Sequence, residues 1–133
     1  MGQVTKLVNQ IMVAGTLAAV CEGLLFGAKA GIDLTPVFQA VTGGAANSWQ
    51  LENLGAKLLQ DDFAPGFMVK LQQKDLRLVL ESAKEMNLPM FTTPIVHNMY
   101  RAVEGQGHSD EGTQAYIKGL EALAGVKARS GKS

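Results

Sequence analysis

Apolar residues recur at intervals of three and four along almost the whole chain. That spacing places them on one face of an α-helix, and no stretch alternates between apolar and polar residues as a half-buried strand does. The pattern predicts an all-α fold of about six helices, with ends set by glycine, proline and capping residues. The helices are expected at about 3–30, 36–43, 48–59, 67–86, 93–104 and 109–125.

The first predicted helix is much longer than the others. At a rise of 1.5 Å per residue it measures about 40 Å, whereas a chain of this size has a radius of gyration of about 14 Å. It should therefore run through the centre, with the other helices packed around it. Residues 11–28 contain one charge, Glu22, and could be mistaken for a membrane span. A carboxylate inside the bilayer is costly, which favours a buried core helix over a membrane partner.

Local residues set the ends of the second helix and of the domain. Thr35 is the expected N-cap, with Pro36 at the first helical position. The Ser/Gly/Lys-rich segment 127–133 is expected to be a flexible tail, which leaves residues 1–126 as the helical domain.

The composition narrows the class of protein. The chain has 133 residues, of which 47% are hydrophobic and 18% charged, which is typical of one globular domain and excludes a disordered chain. Lys plus Arg and Asp plus Glu are both 12, and this zero net charge argues against a nucleic-acid partner. The single cysteine, Cys21, excludes an internal disulfide and is typical of a reducing, cytoplasmic location. Two histidines on different elements offer no metal site, and no glycine-rich nucleotide-binding loop follows a strand.

A polar cluster interrupts the apolar first helix. Lys6, Asn9 and Gln10 stand at i, i+3 and i+4 and therefore share one face. A lysine and two amides can bind a carboxylate or hydroxyl group, and a lysine beside a closing pocket can act as a general acid. The alternative interpretation is a solvated first turn with no chemistry.

The fourth predicted helix carries a stripe of charged residues and one carboxylate that lies among apolar residues. The stripe, expected to face solvent, is Lys70, Lys74, Arg77 and Glu81. Asp75 instead has apolar helical neighbours, so its carboxylate needs a partner. Two interpretations remain open, a structural ion pair inside the bundle or a carboxylate aimed at a cleft.

A glycine-rich loop and two aromatic residues are the remaining candidates for a ligand-binding role. The 43–48 loop leads into a helix N-terminus, where free N–H groups can hold an anion, although a cap by Asn47 or Ser48 is the commoner arrangement. Trp49 and Phe67, each near a helix start, are more typical of core residues than of a ligand platform.

Two segments carry a resemblance to a known family. Gly2–Gln10 (GQVTKLVNQ) resembles the catalytic-lysine segment of the β-hydroxyacid dehydrogenases, and Phe67–Leu76 (FMVKLQQKDL) resembles their second signature, an aromatic followed by Lys-Asp-Leu on a helix. Ala28–Asp33 and Gly43–Ala45 are also similar to the family. The family includes 3-hydroxyisobutyrate dehydrogenase, tartronate semialdehyde reductase and the glyoxylate and succinic semialdehyde reductases.

The resemblance implies a fold and a set of roles. The fold would be that of the helical C-terminal domain of 6-phosphogluconate dehydrogenase, which closes over NAD or NADP bound mainly by an N-terminal Rossmann domain. Lys6 would be the catalytic general acid, and Asn9 and Gln10 would orient a small carboxylate substrate or hold Lys6. The cofactor-side residues would be Phe67, Lys74 and Asp75.

The family's Rossmann half is absent from this sequence. The expected function is therefore that of one domain of an NAD(P)-dependent oxidoreductase, which interconverts a small semialdehyde acid or glyoxylate and its hydroxy acid. The chain alone is expected to be inactive, with an apolar interdomain surface that is exposed or covered by homo-oligomerisation, most readily along the first helix. The alternative is a non-catalytic all-α dimerisation or scaffold module.

Overall fold

The computed structural model describes residues 2–131, and within this range the fold is the all-α bundle expected from the sequence. The helices are α1 (Gly2–Lys29), α2 (Leu34–Thr42), α3 (Ala56–Leu59), α4 (Val69–Glu85), α5 (Thr92–Gly105) and α6 (Tyr116–Ala124). A π-helical segment (Gln50–Gly55) runs directly into α3, and a 3₁₀ turn (Thr113–Ala115) precedes α6. The described residues contain no β-strand, and a single isolated bridge joins Met68 to Gly112.

The long helix α1 is the centre of the bundle, as its length predicts. It contacts α2, α4, α5, α6 and the π-helical segment. Its buried side includes Leu17 and Cys21, which are fully buried in the hydrophobic core. The opposite side is not covered, since Val4 and Met12 are 61% and 65% exposed. The prediction of a buried core helix is therefore right for one side of α1 and wrong for the other.

Length and hydropathy alone would allow α1 to cross a membrane. Its most apolar window has a mean hydropathy of 1.8, and only 33% of that window is buried. The same helix packs against four others and carries Gln10 among its buried residues. Such packing is what the core helix of a helical bundle requires.

The second helix begins at Leu34, two residues earlier than expected, and has a different cap. Asp33 is the N-cap, because its side-chain Oδ1 accepts a hydrogen bond of 3.0 Å from the Thr35 backbone N–H. Thr35 and Pro36 therefore lie inside the first turn, and the prediction of Thr35 as the cap is wrong. The aspartate is the better cap because its charge also opposes the positive end of the helix dipole.

The last helix begins later than the sequence pattern indicates, at Tyr116. The carbonyl groups of Ser109 and Glu111 accept hydrogen bonds of 3.0 and 2.9 Å from the backbone N–H groups of Lys70 and Val69. These two N–H groups belong to the first turn of α4 and have no partner within their own helix. The segment before α6 therefore caps α4 instead of forming a helical turn.

The end of the chain is bound to the bundle, at least as far as Ser130. Ala128 is fully buried, and its backbone N–H donates 3.0 Å to Glu121 Oε2. The Ser130 N–H donates 2.7 Å to the Leu59 carbonyl, and Arg129 forms ion pairs with Glu121 and Asp61. The predicted flexible tail is wrong for these residues, and the rest of it, at 132–133, lies outside the described residues.

Candidate functional site

Three residues singled out in the sequence meet where α1 packs on α4. Asp75 on α4 is buried, and its Oδ2 accepts a hydrogen bond of 2.9 Å from Gln10 Nε2 on α1. Its other oxygen lies 3.9 Å from Lys6 Nζ. Asn9 joins the group by donating 3.2 Å from its Nδ2 to Gln10 Oε1. The carboxylate thus has partners, and it fixes one turn of α1 relative to α4.

The interpretation of the α1 cluster as a solvated first turn holds for two of its three residues, and its chemical role stays a prediction. Lys6 and Asn9 are exposed, as in a solvated first turn, and the Lys6 side chain keeps 63% of its surface free. Gln10 is buried and bonded to Asp75, so it is not a solvated residue. A lysine whose ammonium is free on one side and held on the other can present its protons to a ligand.

Lys6 and Gln10 line a cavity of about 310 Å³. Its wall is mainly apolar or aromatic, and the remaining lining residues are Val13, Trp49, Leu54, Lys57, Gly66, Phe67, Gln72 and Thr113. Among residues 2–131, the charged residues that line it are Lys6 and Lys57, and no acidic side chain does. A mainly apolar wall with a few polar groups and a positive charge suits a small organic anion.

The two aromatic residues of this cavity are not in the core. Trp49 is 64% exposed and Phe67 is 37% exposed. The expectation that both are core residues is therefore wrong, because each lies just before a helical segment and is not covered by another helix. Phe67 lines the same cavity as Lys6, and its expected role on the cofactor side stays a prediction.

Lys74 is not brought into the group. It is exposed and does not line the Lys6 cavity, although it neighbours Asp75 in sequence. Successive helical residues point about 100° apart, so Asp75 faces α1 while Lys74 faces solvent. The predicted charged stripe of Lys70, Lys74, Arg77 and Glu81 is exposed throughout. A cofactor role for Lys74 stays a prediction.

The 43–48 loop caps the π-helical segment that follows it. Ser48 Oγ accepts a hydrogen bond of 3.0 Å from the Leu51 backbone N–H, which confirms the capping interpretation for Ser48. Within residues 2–131, no group of three or more His, Cys, Asp and Glu side chains could hold a metal ion.

Sequence reasoning did not single out Lys57 and Gln72 in the cavity wall. Gln72 and its neighbour Gln73 are both fully buried on α4. A signal was present, because they occupy core-facing positions of the apolar period that also contains Val69 and Leu76. Gln73 is satisfied by His97 and Glu104, whereas both side-chain polar atoms of Gln72 lack a hydrogen-bond partner among the described residues.

Comparison with known proteins decides the family. Residues 1–120 match the family model described as NAD-binding of NADP-dependent 3-hydroxyisobutyrate dehydrogenase. The chain belongs to this 3-hydroxyisobutyrate dehydrogenase family. The match supports NAD or NADP as the cofactor of the family, as the sequence resemblance implied.

Members of the family from a plant and a bacterium are similar over nearly the whole chain. A probable 3-hydroxyisobutyrate dehydrogenase-like protein of Arabidopsis thaliana, named as mitochondrial, is 36% identical over 132 residues, which cover 99% of this chain and 40% of the relative. The 2-hydroxy-3-oxopropionate reductase of Escherichia coli is 40% identical over 126 residues, which cover 95% of this chain and 43% of the relative. The chain thus spans about two fifths of the length of these curated relatives.

A solved structure of the family has the same fold. The crystal structure of 3-hydroxyisobutyrate dehydrogenase from Salmonella typhimurium superposes with a TM-score of 0.83 at 31% identity. The alignment covers 86% of this chain and 40% of that protein. The helical bundle described above is therefore one part of the larger family structure.

Proposed function

We propose that this chain is the catalytic-lysine domain of an NAD(P)-dependent oxidoreductase, which interconverts a small semialdehyde acid or glyoxylate and its hydroxy acid. The observation that carries the proposal is the position of Lys6. Lys6 lines a cavity with a largely apolar lining, and its Nζ lies 3.9 Å from the buried carboxylate of Asp75. Such a group is suited to carbonyl chemistry.

In this proposal Lys6 acts as the general acid in reduction and as the general base in oxidation. When a carbonyl is reduced, negative charge develops on its oxygen, and a nearby ammonium both stabilises that charge and supplies the proton. In the oxidation direction the neutral amine accepts the hydroxyl proton. The nicotinamide supplies or takes the hydride when it is bound.

Asp75, Gln10 and Asn9 position Lys6. The hydrogen bond from Gln10 fixes one oxygen of Asp75, which leaves the other oxygen directed towards Lys6. Asn9 in turn fixes the Gln10 amide by donating to its oxygen. The amide groups of Asn9 and Gln10 can also contact the substrate.

The aromatic residues of the Lys6 cavity could pack against the nicotinamide ring of the cofactor. The partly exposed ring of Phe67 and the exposed ring of Trp49 offer flat apolar faces beside Lys6. The nucleotide end of the cofactor would be bound by the Rossmann domain that the family resemblance places before this one. The chain alone would then lack activity.

Reductase activity tests the proposal. NADH and NADPH oxidation would be followed with glyoxylate and a panel of semialdehyde acids, using this chain alone and joined to the Rossmann domain of the Escherichia coli relative. We expect activity only in the joined protein, and Lys6→Ala should lower it by about 10²–10⁴-fold. The matched control is Lys84→Ala, an exposed lysine of α4 outside the cavity.

Two results would argue against catalysis by Lys6. An unchanged rate in Lys6→Ala would remove the lysine from the mechanism. A folded joined protein that reduces none of the compounds would favour the second candidate, a non-catalytic dimerisation or scaffold module. That candidate is supported by the exposed apolar side of α1, where Val4 and Met12 are uncovered.

A further inference from the structure

One wall of the Lys6 cavity comes from a single short stretch of helix. Trp49 stands just before the π-helical segment, and Leu54 lies within that segment. Lys57 lies on α3, which continues the segment directly. A π-helical turn is rare and α3 has only four residues, so this stretch has little stability of its own. Its position depends on contacts with other parts of the chain.

The inner side of this stretch packs on the core. Its buried leucines are Leu51, Leu54, Leu58 and Leu59. At Gly55 the backbone comes close to α1, since a Cβ there would lie 3.6 Å from Val20 Cγ1. Apolar contacts of this kind are non-directional, so by themselves they do not fix the rotation of the helix about its axis. Polar contacts at the helix ends can do so.

The end of the chain supplies such contacts where α3 ends. The last carbonyl groups of a helix lack a donor within the helix. The Leu59 carbonyl accepts a hydrogen bond of 2.7 Å from the Ser130 backbone N–H. Two residues further on, Asp61 Oδ1 accepts 2.8 Å from Arg129 Nε. Leu59 is only 3% exposed, so its carbonyl would be costly to leave unpaired.

Residues 126–130, here called the C-terminal strap, are also anchored on α6. Ala128 is fully buried, and its N–H donates 3.0 Å to Glu121 Oε2. Arg129 Nη1 donates 2.6 Å to the same oxygen. The strap therefore ties α6 to the end of α3. Its contact with Leu59 is two residues from Lys57, which is within one helical turn of the cavity wall.

We propose that the C-terminal strap is a positioning element for the Lys6 cavity, because the Ser130 N–H and the Arg129 guanidinium hold the end of α3 and thereby keep Lys57 in the wall. Lys6 and Asp75 belong to α1 and α4, so a loosened strap should leave the proton-transfer group in place. Ligand binding would then carry the cost of ordering the wall. The inference rests on the proposed function for its kinetic effect, whereas the hold on the wall is a property of this chain.

The first test is NMR of this chain under native conditions. Ser130→Pro removes the N–H that α3 accepts, whereas Ser130→Ala keeps it, so the two variants are a matched pair. In Ser130→Pro the backbone order parameter of Lys57 should fall from about 0.85 towards 0.6, while that of Leu17 in α1 stays at the rigid value. The indole N–H signal of Trp49, the single tryptophan of the sequence, should shift. Ser130→Ala should match the parent chain.

Two results of this experiment would overturn the proposal. One is a Lys57 order parameter and a Trp49 signal that both match the parent chain in Ser130→Pro. The other is an equal fall of the order parameter at Leu17, since the strap would then support the whole bundle and not the cavity wall. A chain that ends at Arg129 lacks the same N–H and takes the place of Ser130→Pro if the proline variant does not fold.

Kinetics of the joined protein separate the strap from the catalytic proposal. Ser130→Pro should raise the KM of the nicotinamide cofactor by about three- to tenfold and change kcat by less than about twofold. Lys6→Ala should instead lower kcat. An unchanged KM in a protein whose activity depends on Lys6 would overturn the strap while the catalytic proposal stands. If no activity depends on Lys6, the catalytic proposal fails, and the NMR result on the chain alone decides the strap.

Discussion

Gln10 on α1 and Asp75 on α4 are joined by a buried hydrogen bond of 2.9 Å across 65 residues of sequence. It links the helix that carries Lys6 directly to the helix that carries the second family segment. Both residues are nearly inaccessible to solvent, with 8% and 6% of their surfaces exposed. The bond therefore belongs both to the packing of the bundle and to the candidate site.

Asp75→Ala should destabilise the fold through Gln10. The variant leaves the buried Gln10 amide without its acceptor, which costs about 1–3 kcal/mol of unfolding free energy. Replacing both partners, as in Gln10→Leu with Asp75→Leu, should be less destabilising than the two single leucine variants added together. Urea unfolding of the parent chain, the two single leucine variants, the double leucine variant and Asp75→Ala measures these differences.

Lys6→Met is the matched control for this pair. The Lys6 side chain is 63% exposed and 3.9 Å from Asp75, so its ion pair should contribute less than about 1 kcal/mol. A loss as large as that of Asp75→Ala would show that the lysine, not the buried amide, holds the two helices together.

Arg129 should be one of the strongest single contributors to stability outside the core. Its guanidinium forms ion pairs with Glu121 at 2.6 Å and with Asp61 at 2.8 Å, and Glu121 is only 7% exposed. Arg129→Met leaves the buried carboxylate of Glu121 without its charge partner, which should cost about 3 kcal/mol. Glu121→Gln in the same chain should recover part of the loss, as measured by urea unfolding.

Asp61, the second partner of Arg129, should make the stability of the folded chain depend on pH. A hydrogen bond from Arg129 lowers the pKa of Asp61 below its usual value of 3.8. A carboxyl whose pKa is lowered by folding stabilises the folded state above its unfolded pKa and loses that contribution as pH falls through the folded pKa. Stability should therefore decline more steeply below about pH 3.8 in the parent chain than in Asp61→Asn. The effect should be small because Asp61 is largely exposed, and equal slopes would contradict it.

The sequence pattern predicted the helices well because each depends on its own residues. The apolar period and the breaks at Gly31, Gly43 and the 61–66 loop are local, and the structure confirms the number and order of the main helices. The errors lie where a distant segment supplies the partner. Glu111 caps α4 instead of entering α6, and Arg129 is held by Glu121 and Asp61 instead of fraying.

The candidate site was predictable only in part for the same reason. The family segments identify Lys6 and Asp75 separately, but nothing local shows that Asp75 meets both Lys6 and Gln10 across the two helices. Lys57 was missed because it follows the π-helical segment Gln50–Gly55. A π-helical turn contains an extra residue, so side chains after it are rotated by about 100° from where a continuous α-helix would place them.

His97 should make stability fall in mildly acidic solution. Partial burial, together with the nearby positive charges of Arg77 and Arg101, lowers the pKa of His97 below 6.5, and the opposing effect of Glu104 is smaller. The unfolded chain therefore takes up the proton first as pH falls, which favours unfolding. Its Nδ1 also contacts Gln73 Oε1 at 3.0 Å.

The measurement for His97 is the unfolding free energy between pH 7.5 and 5. In the parent chain it should begin to fall below about pH 6.5, the usual pKa of histidine. His97→Gln keeps a hydrogen-bond donor for Gln73 but cannot be protonated, so its stability should change less over this range. Parallel curves for the two proteins would assign the acid sensitivity to other groups.

The uncovered side of α1 should make the isolated chain self-associate. Val4, Val8 and Met12 are spaced four residues apart, so they form one stripe along the helix, and they are 61%, 45% and 65% exposed. An apolar stripe of this kind is typical of a surface that is covered in the working protein.

Replacing all three stripe residues with glutamine tests this expectation. Glutamine keeps the helix propensity high, so the fold should be retained while the apolar surface is lost. Sedimentation velocity over a hundredfold concentration range should show association of the parent chain and a monomeric triple variant. Leu123→Gln, which changes an exposed leucine on α6, is the matched control and should associate like the parent. A parent chain that stays monomeric throughout would show that the α1 stripe does not drive self-association.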